Sequence, residues 1–167
     1  MITPFTIVGI AILYCFLAAY LLNGFINLQY KKHIPVGTSP VSLSIIKTSY
    51  FVAAGFILAE LPVAANALFA VLTKQYAGPA FYQNAFLYMS LFLGIILLIL
   101  FIVYFLSSGL FHMITDKSRI RLEVANNNIE KAVFFSGLML LLSLGIKASV
   151  PFLLDFFIPY PTIPMFR

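Results

Sequence analysis

Long apolar stretches alternate with short polar ones along the chain, and this pattern predicts its helices. Four apolar segments are separated by loops that hold most of the charged residues. Each segment supplies the roughly 20 helical residues that cross about 30 Å of hydrocarbon. The third is the clearest, because residues 85–106 contain no charge. We predict transmembrane helices at about residues 4–28, 41–72, 83–112 and 128–158.

The composition indicates that most of the protein surface faces lipid. Hydrophobic residues make up 62% of the chain and charged residues only 9%, whereas soluble domains carry about 25% charged residues. At 167 residues the chain has room for one transmembrane domain and no separate soluble one. We therefore predict an all-α integral membrane protein in which residues 1–167 form a single domain.

The basic residues predict the orientation of the helices. The formal net charge is +5, but the basic residues lie in short loops and not on one water-facing element, which favours the lipid bilayer as partner and argues against nucleic acid. The first and third loops and their flanks hold seven of them: Lys31, Lys32, Lys47, Lys117, Arg119, Arg121 and Lys131. Lys74 and Arg167 are on the other side. Because Lys and Arg stay cytoplasmic, loops one and three are predicted inside and both termini outside.

Two pairs of similar segments suggest an internal duplication. "AYLLNGFINL" (19–28) resembles "VYFLSSGLFH" (103–112), and "YFVAAGFIL" (50–58) resembles "AVFFSGLML" (132–140), with Gly55 matching Gly137. A repeated two-helix hairpin crosses the membrane twice, so both copies have the same orientation. We predict a parallel duplication with halves at about 1–76 and 77–158. The alternative is that two apolar helices resemble each other by composition alone.

The third loop ends in three asparagines, which are candidates for a helix cap. Asn126, Asn127 or Asn128 can cap the fourth helix, and Glu130 then falls in its first turn, where the helix dipole favours an anion. Capping needs one asparagine, which leaves a partner or headgroup contact open for the others. Serines offer the same cap before the second helix: Ser39, Ser42 and Ser44.

The same stretch carries a family resemblance. Glu123, then Asn127 and Asn128, then Ala132 and Gly137 before a bulky apolar run resemble the signature of the YjfL-like bacterial inner-membrane proteins. That resemblance implies four helices built as a repeated two-helix unit, a location in the plasma (inner) membrane, and no known activity. The first half departs from the pattern, because it lacks the acidic residue and the asparagines.

Of the charged residues inside the predicted helices, Glu60 and Lys147 lie at membrane depth, whereas Asp155 is near the outer end. Glu60 lies about 16 residues into the second helix and Lys147 about 15 into the fourth, so the rise per residue places them at similar depth. Ionisable residues at such depth face the bundle interior, and we predict a Glu60–Lys147 ion pair, with a kink at Pro62. The pair is interpreted as a structural contact between helices or, alternatively, as part of an ion path with Glu60 titrating. Other intramembrane polar candidates are Tyr20, Asn23, Asn27 and Asn66.

The sequence shows no pattern typical of an active site. His33 and His112 are expected to be isolated interface residues, because no spaced set of His, Cys and Glu accompanies them. A phosphate-binding glycine loop and a nucleophile elbow are also missing from the sequence. We therefore expect no metal, no cofactor and no enzymatic activity.

Three functions follow from these features. The first is a small non-enzymatic accessory or structural component of a membrane assembly, associating with itself or with other membrane subunits. The alternative is an oligomeric small channel or transporter with an intramembrane Glu60/Lys147 site. A third hypothesis is a lipid- or quinone-binding subunit with a pocket formed by aromatic faces.

Overall fold

The computed structural model describes residues 4–34, 40–115 and 118–160, with residues 4–8, 10 and 11 described by their backbone alone. Three residues named above, Ser39, Lys117 and Arg167, lie outside the described residues.

The described residues form seven helices and no strand. They are α1 (Pro4–Tyr30), α2 (Val41–Leu58), α3 (Leu61–Gln75), α4 (Pro79–Ile114), α5 (Ile120–Ala125), α6 (Ile129–Lys147) and α7 (Val150–Asp155). Four stretches are long and apolar enough to span a membrane: Ile12–Tyr30, Val41–Gln75, Pro79–Ile114 and Ile129–Lys147. The prediction of an all-α fold with four long apolar helices is confirmed.

Two of the long helices are interrupted at a proline. Pro62 is the second residue of α3 and Pro151 the second residue of α7. Neither proline can donate a hydrogen bond to the carbonyl four residues earlier, so the helix breaks there. The residues that begin the new segments have nearly the same backbone angles, φ −86° and ψ −13° at Glu60 and φ −87° and ψ −15° at Ser149. The sequence predicts a kink at Pro62, where the structure has a break, and no interruption at Pro151.

The centre of the molecule is an aromatic core between α2, α4 and α6. The hydroxyl of Tyr50 donates to the carbonyl of Leu100 at 3.0 Å, so this buried polar group is satisfied. Tyr104 packs edge-on against Phe135, with ring centroids 5.8 Å apart. Both rings are buried, and they hold α4 and α6 together.

The first helix joins this core through one narrow stripe. The buried side chains of α1 are spaced four residues apart: Tyr14, Ala18, Leu22, Ile26 and Tyr30. Residues at this spacing lie on one face of a helix. The opposite face of α1, from Ile12 onward, is exposed among the described residues.

Candidate functional site

The structure brings Glu60 and Lys147 together at the two helix breaks. The Nζ atom of Lys147 lies 3.4 Å from Oε1 of Glu60. Glu60 immediately precedes α3 and Lys147 is the last residue of α6, where a cation also complements the helix dipole. The side chain of Glu60 is 20% exposed and that of Lys147 is 38% exposed. The pair therefore lies at the rim of the bundle and connects its two broken helices.

The other polar candidates lie elsewhere. Tyr20, Asn23 and Asn27 are exposed on α1 outside its buried stripe, with Tyr20 77% exposed. Tyr20 lies opposite the stripe, whereas the two asparagines each follow a stripe residue and lie about 100° round the helix from it. Asn66 is exposed on α3. The structure does not bring these four residues to the ion pair, because the four-residue spacing of the apolar stripe turns the polar face of α1 outward. We call Tyr20, Asn23 and Asn27 the α1 polar face.

The three asparagines have three different structural roles. Asn126 ends α5, and Asn127 follows it with a positive φ of 54°. The backbone N–H of Asn128 then donates to the carbonyl of Glu123 at 2.9 Å, a bond typical of a helix that ends in a left-handed residue. Asn128 starts the next helix, and its side chain accepts from the N–H of Lys131 at 3.2 Å. Asn128 is therefore the cap of α6.

Asn127 caps a different helix. Its Oδ1 accepts a hydrogen bond from the backbone N–H of Ser42 at 3.2 Å, and the hydroxyl of Ser42 donates to the carbonyl of Val124 at 3.0 Å. Pro40, which precedes α2, makes no side-chain cap. The expectation that a serine caps the second helix is wrong for Ser42, whose hydroxyl is used as a donor. An asparagine from the third loop supplies this cap instead.

A short ion-pair network stabilises the turn between α5 and α6. The Nζ atom of Lys131 lies 2.7 Å from Oε1 of Glu123 and 3.1 Å from the hydroxyl oxygen of Ser118. The side-chain amide of Asn128 donates to the other carboxylate oxygen at 3.0 Å. The hydrogen bond from Lys131, followed by that from Asn128, holds the pKa of Glu123 below its usual range.

Two histidines that are distant in sequence line one cavity. His33, after α1, and His112, near the end of α4, share a cavity of about 430 Å³ with Arg119 and Arg121. Sequence reasoning treats the two histidines as isolated and misses this site. The available signal is that both lie close to the ends of helices, and the hairpin layout places these ends on the same side of the bundle.

A second cavity of about 500 Å³ is almost entirely apolar. It lies between α1, α3 and α4, and its aromatic lining residues are Tyr14, Phe69, Phe81, Tyr82 and Phe86. This cavity gives the third hypothesis a location. Its few polar groups suit an acyl chain better than a quinone, whose carbonyl oxygens need donors.

Within residues 4–34, 40–115 and 118–160, no group of three or more His, Cys, Asp and Glu side chains is arranged to hold a metal ion. No family model, curated protein or solved structure matches the chain. The α1 polar face, the ion pair and the two cavities are therefore interpreted from their own geometry and chemistry.

Proposed function

We propose that the chain is a multi-pass integral membrane protein without catalytic chemistry that acts as an accessory or structural component of a membrane assembly. The observation that carries this proposal is the α1 polar face. It lies on a helix long and apolar enough to span a membrane, yet its side chains are exposed among the described residues.

An exposed amide is costly in lipid unless another helix covers it. Asn23 lies seven residues before the end of α1, about 10 Å along the axis, which places it within the hydrocarbon region of the proposed span. An amide without a hydrogen-bond partner costs about 2–7 kcal/mol in an apolar environment. A helix of another chain supplies that partner, and interhelical hydrogen bonds of this kind stabilise membrane helix pairs by about 0.6–2 kcal/mol. Gly24, next to Asn23, leaves room for close approach.

The two proline breaks support the proposed parallel duplication. "AELP" (59–62) and "ASVP" (148–151) occupy equivalent breaks with similar backbone angles, and Pro151 follows Pro62 by 89 positions. Gly137 follows Gly55 by 82 positions. The two registers differ by seven residues, about two helical turns, so both place the same helix faces inward. We propose the register of the breaks for the second helix of each half.

The proposed orientation puts loops one and three in the cytoplasm and both termini outside the plasma membrane. Support comes from the distribution of Lys and Arg between the loops. The resemblance to YjfL-like inner-membrane proteins rests on Glu123, Asn127, Asn128, Ala132 and Gly137 and remains part of this proposal.

Association can be tested on the α1 polar face directly. Asn23→Leu with Asn27→Leu removes both amides while keeping the helix apolar. Association of labelled chains with their partners in lipid vesicles is measured by energy transfer. The apparent affinity should be about tenfold lower in this variant, the equivalent of two weak interhelical hydrogen bonds. The matched control is Asn84→Leu, which removes an amide that already donates to the carbonyl of Ala80 within its own helix at 2.8 Å and should leave association unchanged. Unchanged association in the double variant would contradict the proposed interface.

A second candidate function is an oligomeric small channel or transporter. The observation that favours it is the position of the Glu60–Lys147 pair at two helix breaks, because transporters bind ions where helices are discontinuous. This function requires that Glu60→Gln abolishes a flux while the protein stays folded. A structural pair requires instead that the same substitution lowers stability.

A further inference from the structure

A cationic cavity lies where the ends of α1 and α4 meet the segment leading into α5. Six of its lining residues carry polar side chains: His33, Ser108, His112, Ser118, Arg119 and Arg121. Its volume of about 430 Å³ lies within the range of small-molecule sites, about 300–1,000 Å³. It is separate from both the α1 polar face and the ion pair.

The charges around the cavity favour an anionic ligand. Among the described residues, no carboxylate lines the cavity or lies within 4.0 Å of Arg119 or Arg121. Glu123 is near in sequence, but its two oxygens are already bonded to Lys131 and Asn128. The two guanidinium groups are therefore the dominant charges among the described lining residues.

One donor side chain of the cavity is held in place by the chain itself. Nδ1 of His112 lies 3.3 Å from the carbonyl oxygen of Ser118. A carbonyl only accepts, so Nδ1 carries the hydrogen and the imidazole is fixed against the loop. A ligand therefore meets one donor group that is already oriented.

We propose that this cavity binds the phosphate group of an anionic phospholipid. The planar guanidinium groups of Arg119 and Arg121 present paired donors that match phosphate oxygens. The lining also includes apolar Leu122, whose side chain is 51% exposed. A lipid places its phosphate in the cavity and an acyl chain along this side chain, which a soluble phosphate leaves uncovered.

The proposal rests on the membrane orientation proposed above. In that orientation the cavity opens at the cytoplasmic interface, where the leaflet carries anionic headgroups. Basic pockets between helices on that side are typical headgroup sites. The same chemistry is supplied by free phosphate, so the experiment has to separate the two sources.

The test is native mass spectrometry of the full chain in a non-ionic detergent. The protein is titrated with short-chain phosphatidylglycerol, with phosphatidylcholine of the same chain length, and with inorganic phosphate. We expect one phosphatidylglycerol to be retained per chain, at an affinity at least about tenfold above that of the other two ligands.

The variants identify the residues responsible. Arg119→Gln, at an exposed position, should weaken phosphatidylglycerol binding by about tenfold, the loss expected for a charge-assisted hydrogen bond. Arg121→Gln should have at least the same effect. The matched control is Lys32→Gln, which removes one exposed cation from the same side outside the cavity and should change affinity by less than about twofold. If Arg121→Gln does not fold, Arg119→Gln decides the outcome.

Three results would overturn the proposal. Equal losses in Arg119→Gln and Lys32→Gln would show attraction by net charge without a site. Undiminished binding in Arg119→Gln would exclude this cavity, and inorganic phosphate binding as tightly as the lipid would assign the site to a soluble anion. The same spectra report association of chains, so loss of lipid binding with association retained overturns only this inference.

Discussion

Asn127 has a backbone conformation and a hydrogen bond that few residues combine. It adopts a positive φ at the end of α5 while its side chain caps the start of α2. Apart from glycine, asparagine is the residue most often found in the left-handed region at a helix end. One residue thus ends a helix of the second half and stabilises the second helix of the first half.

Substitutions at Asn127 separate these two effects. Asn127→Ala should lower the free energy of unfolding by about 2 kcal/mol, because it loses the cap and strains the backbone. Asn127→Gly should cost about half as much, because glycine accepts positive φ but cannot cap. Unfolding in detergent, followed by circular dichroism, measures both. Asn126→Ala is the control, since the exposed side chain of Asn126 makes no hydrogen bond to the described part of the chain. Equal losses for alanine and glycine would contradict the backbone contribution.

The Glu123–Lys131 pair predicts a pH dependence of stability. Because the folded-state pKa of Glu123 is lowered, its ionised form stabilises the fold above the usual carboxyl pKa of about 4.3. This stabilisation is lost as pH falls through the lowered pKa. Glu123→Gln should therefore flatten the stability profile below about pH 4.5 and lower stability at pH 7. A profile that keeps the wild-type slope in the variant would assign the acid sensitivity to other carboxyl groups.

Sequence predicts part of these residue-level contacts. One asparagine before the fourth helix is recognisable as a cap, because capping depends on neighbours within three residues. The bond from Asn127 to Ser42 joins positions 85 residues apart. It depends on where α2 begins relative to the α5–α6 turn, and no local pattern contains that information.

At the scale of helices, the Glu60–Lys147 contact couples two broken segments. Glu60→Gln and Lys147→Gln should each lower stability, and the double variant should recover much of the loss. We expect a coupling energy of about 1–2 kcal/mol, between the values for exposed and buried ion pairs, since both side chains are partly exposed. A double-mutant cycle in detergent or vesicles measures it. Additive losses would show that the two charges act independently.

The helices also show where sequence patterns stop being informative. Apolar length places four long helices, and Pro62 marks the break in the second of them. Pro151 provides the same local signal in the fourth, but the continuous apolar run suggests an unbroken helix. Periodicity cannot choose between repeat registers seven residues apart, because both bury the same face. If the proposed duplication holds, the nearly equal backbone angles at Glu60 and Ser149 favour the register of the breaks.

For the whole molecule, the proposed orientation makes a labelling prediction. In a Cys15→Ala background, a cysteine replacing exposed Lys32 should resist a membrane-impermeant thiol reagent applied from outside intact cells. A cysteine replacing exposed Gln83, at the opposite end of the bundle, should react. The charge distribution requires this difference. Reaction of the Lys32 position and protection of the Gln83 position would reverse the proposed topology.

The described part of the chain leaves the α1 polar face exposed, and the proposed function depends on what covers it. Sequence identifies Tyr20, Asn23 and Asn27 as polar residues in an apolar helix. Their outward direction follows only from the stripe by which α1 packs on the core. Association with another polypeptide is therefore the central claim at this scale.

The measurement that tests this claim most directly is the mass and composition of the particle after gentle extraction from its native membrane. We predict a particle heavier than one 18.6 kDa chain. It should contain stoichiometric partner subunits, and these should dissociate in the variant that combines Asn23→Leu with Asn27→Leu. A homogeneous multiple of the chain would favour the channel or transporter. A particle containing a single 18.6 kDa chain, in the wild type as in the variant, would contradict the proposed association.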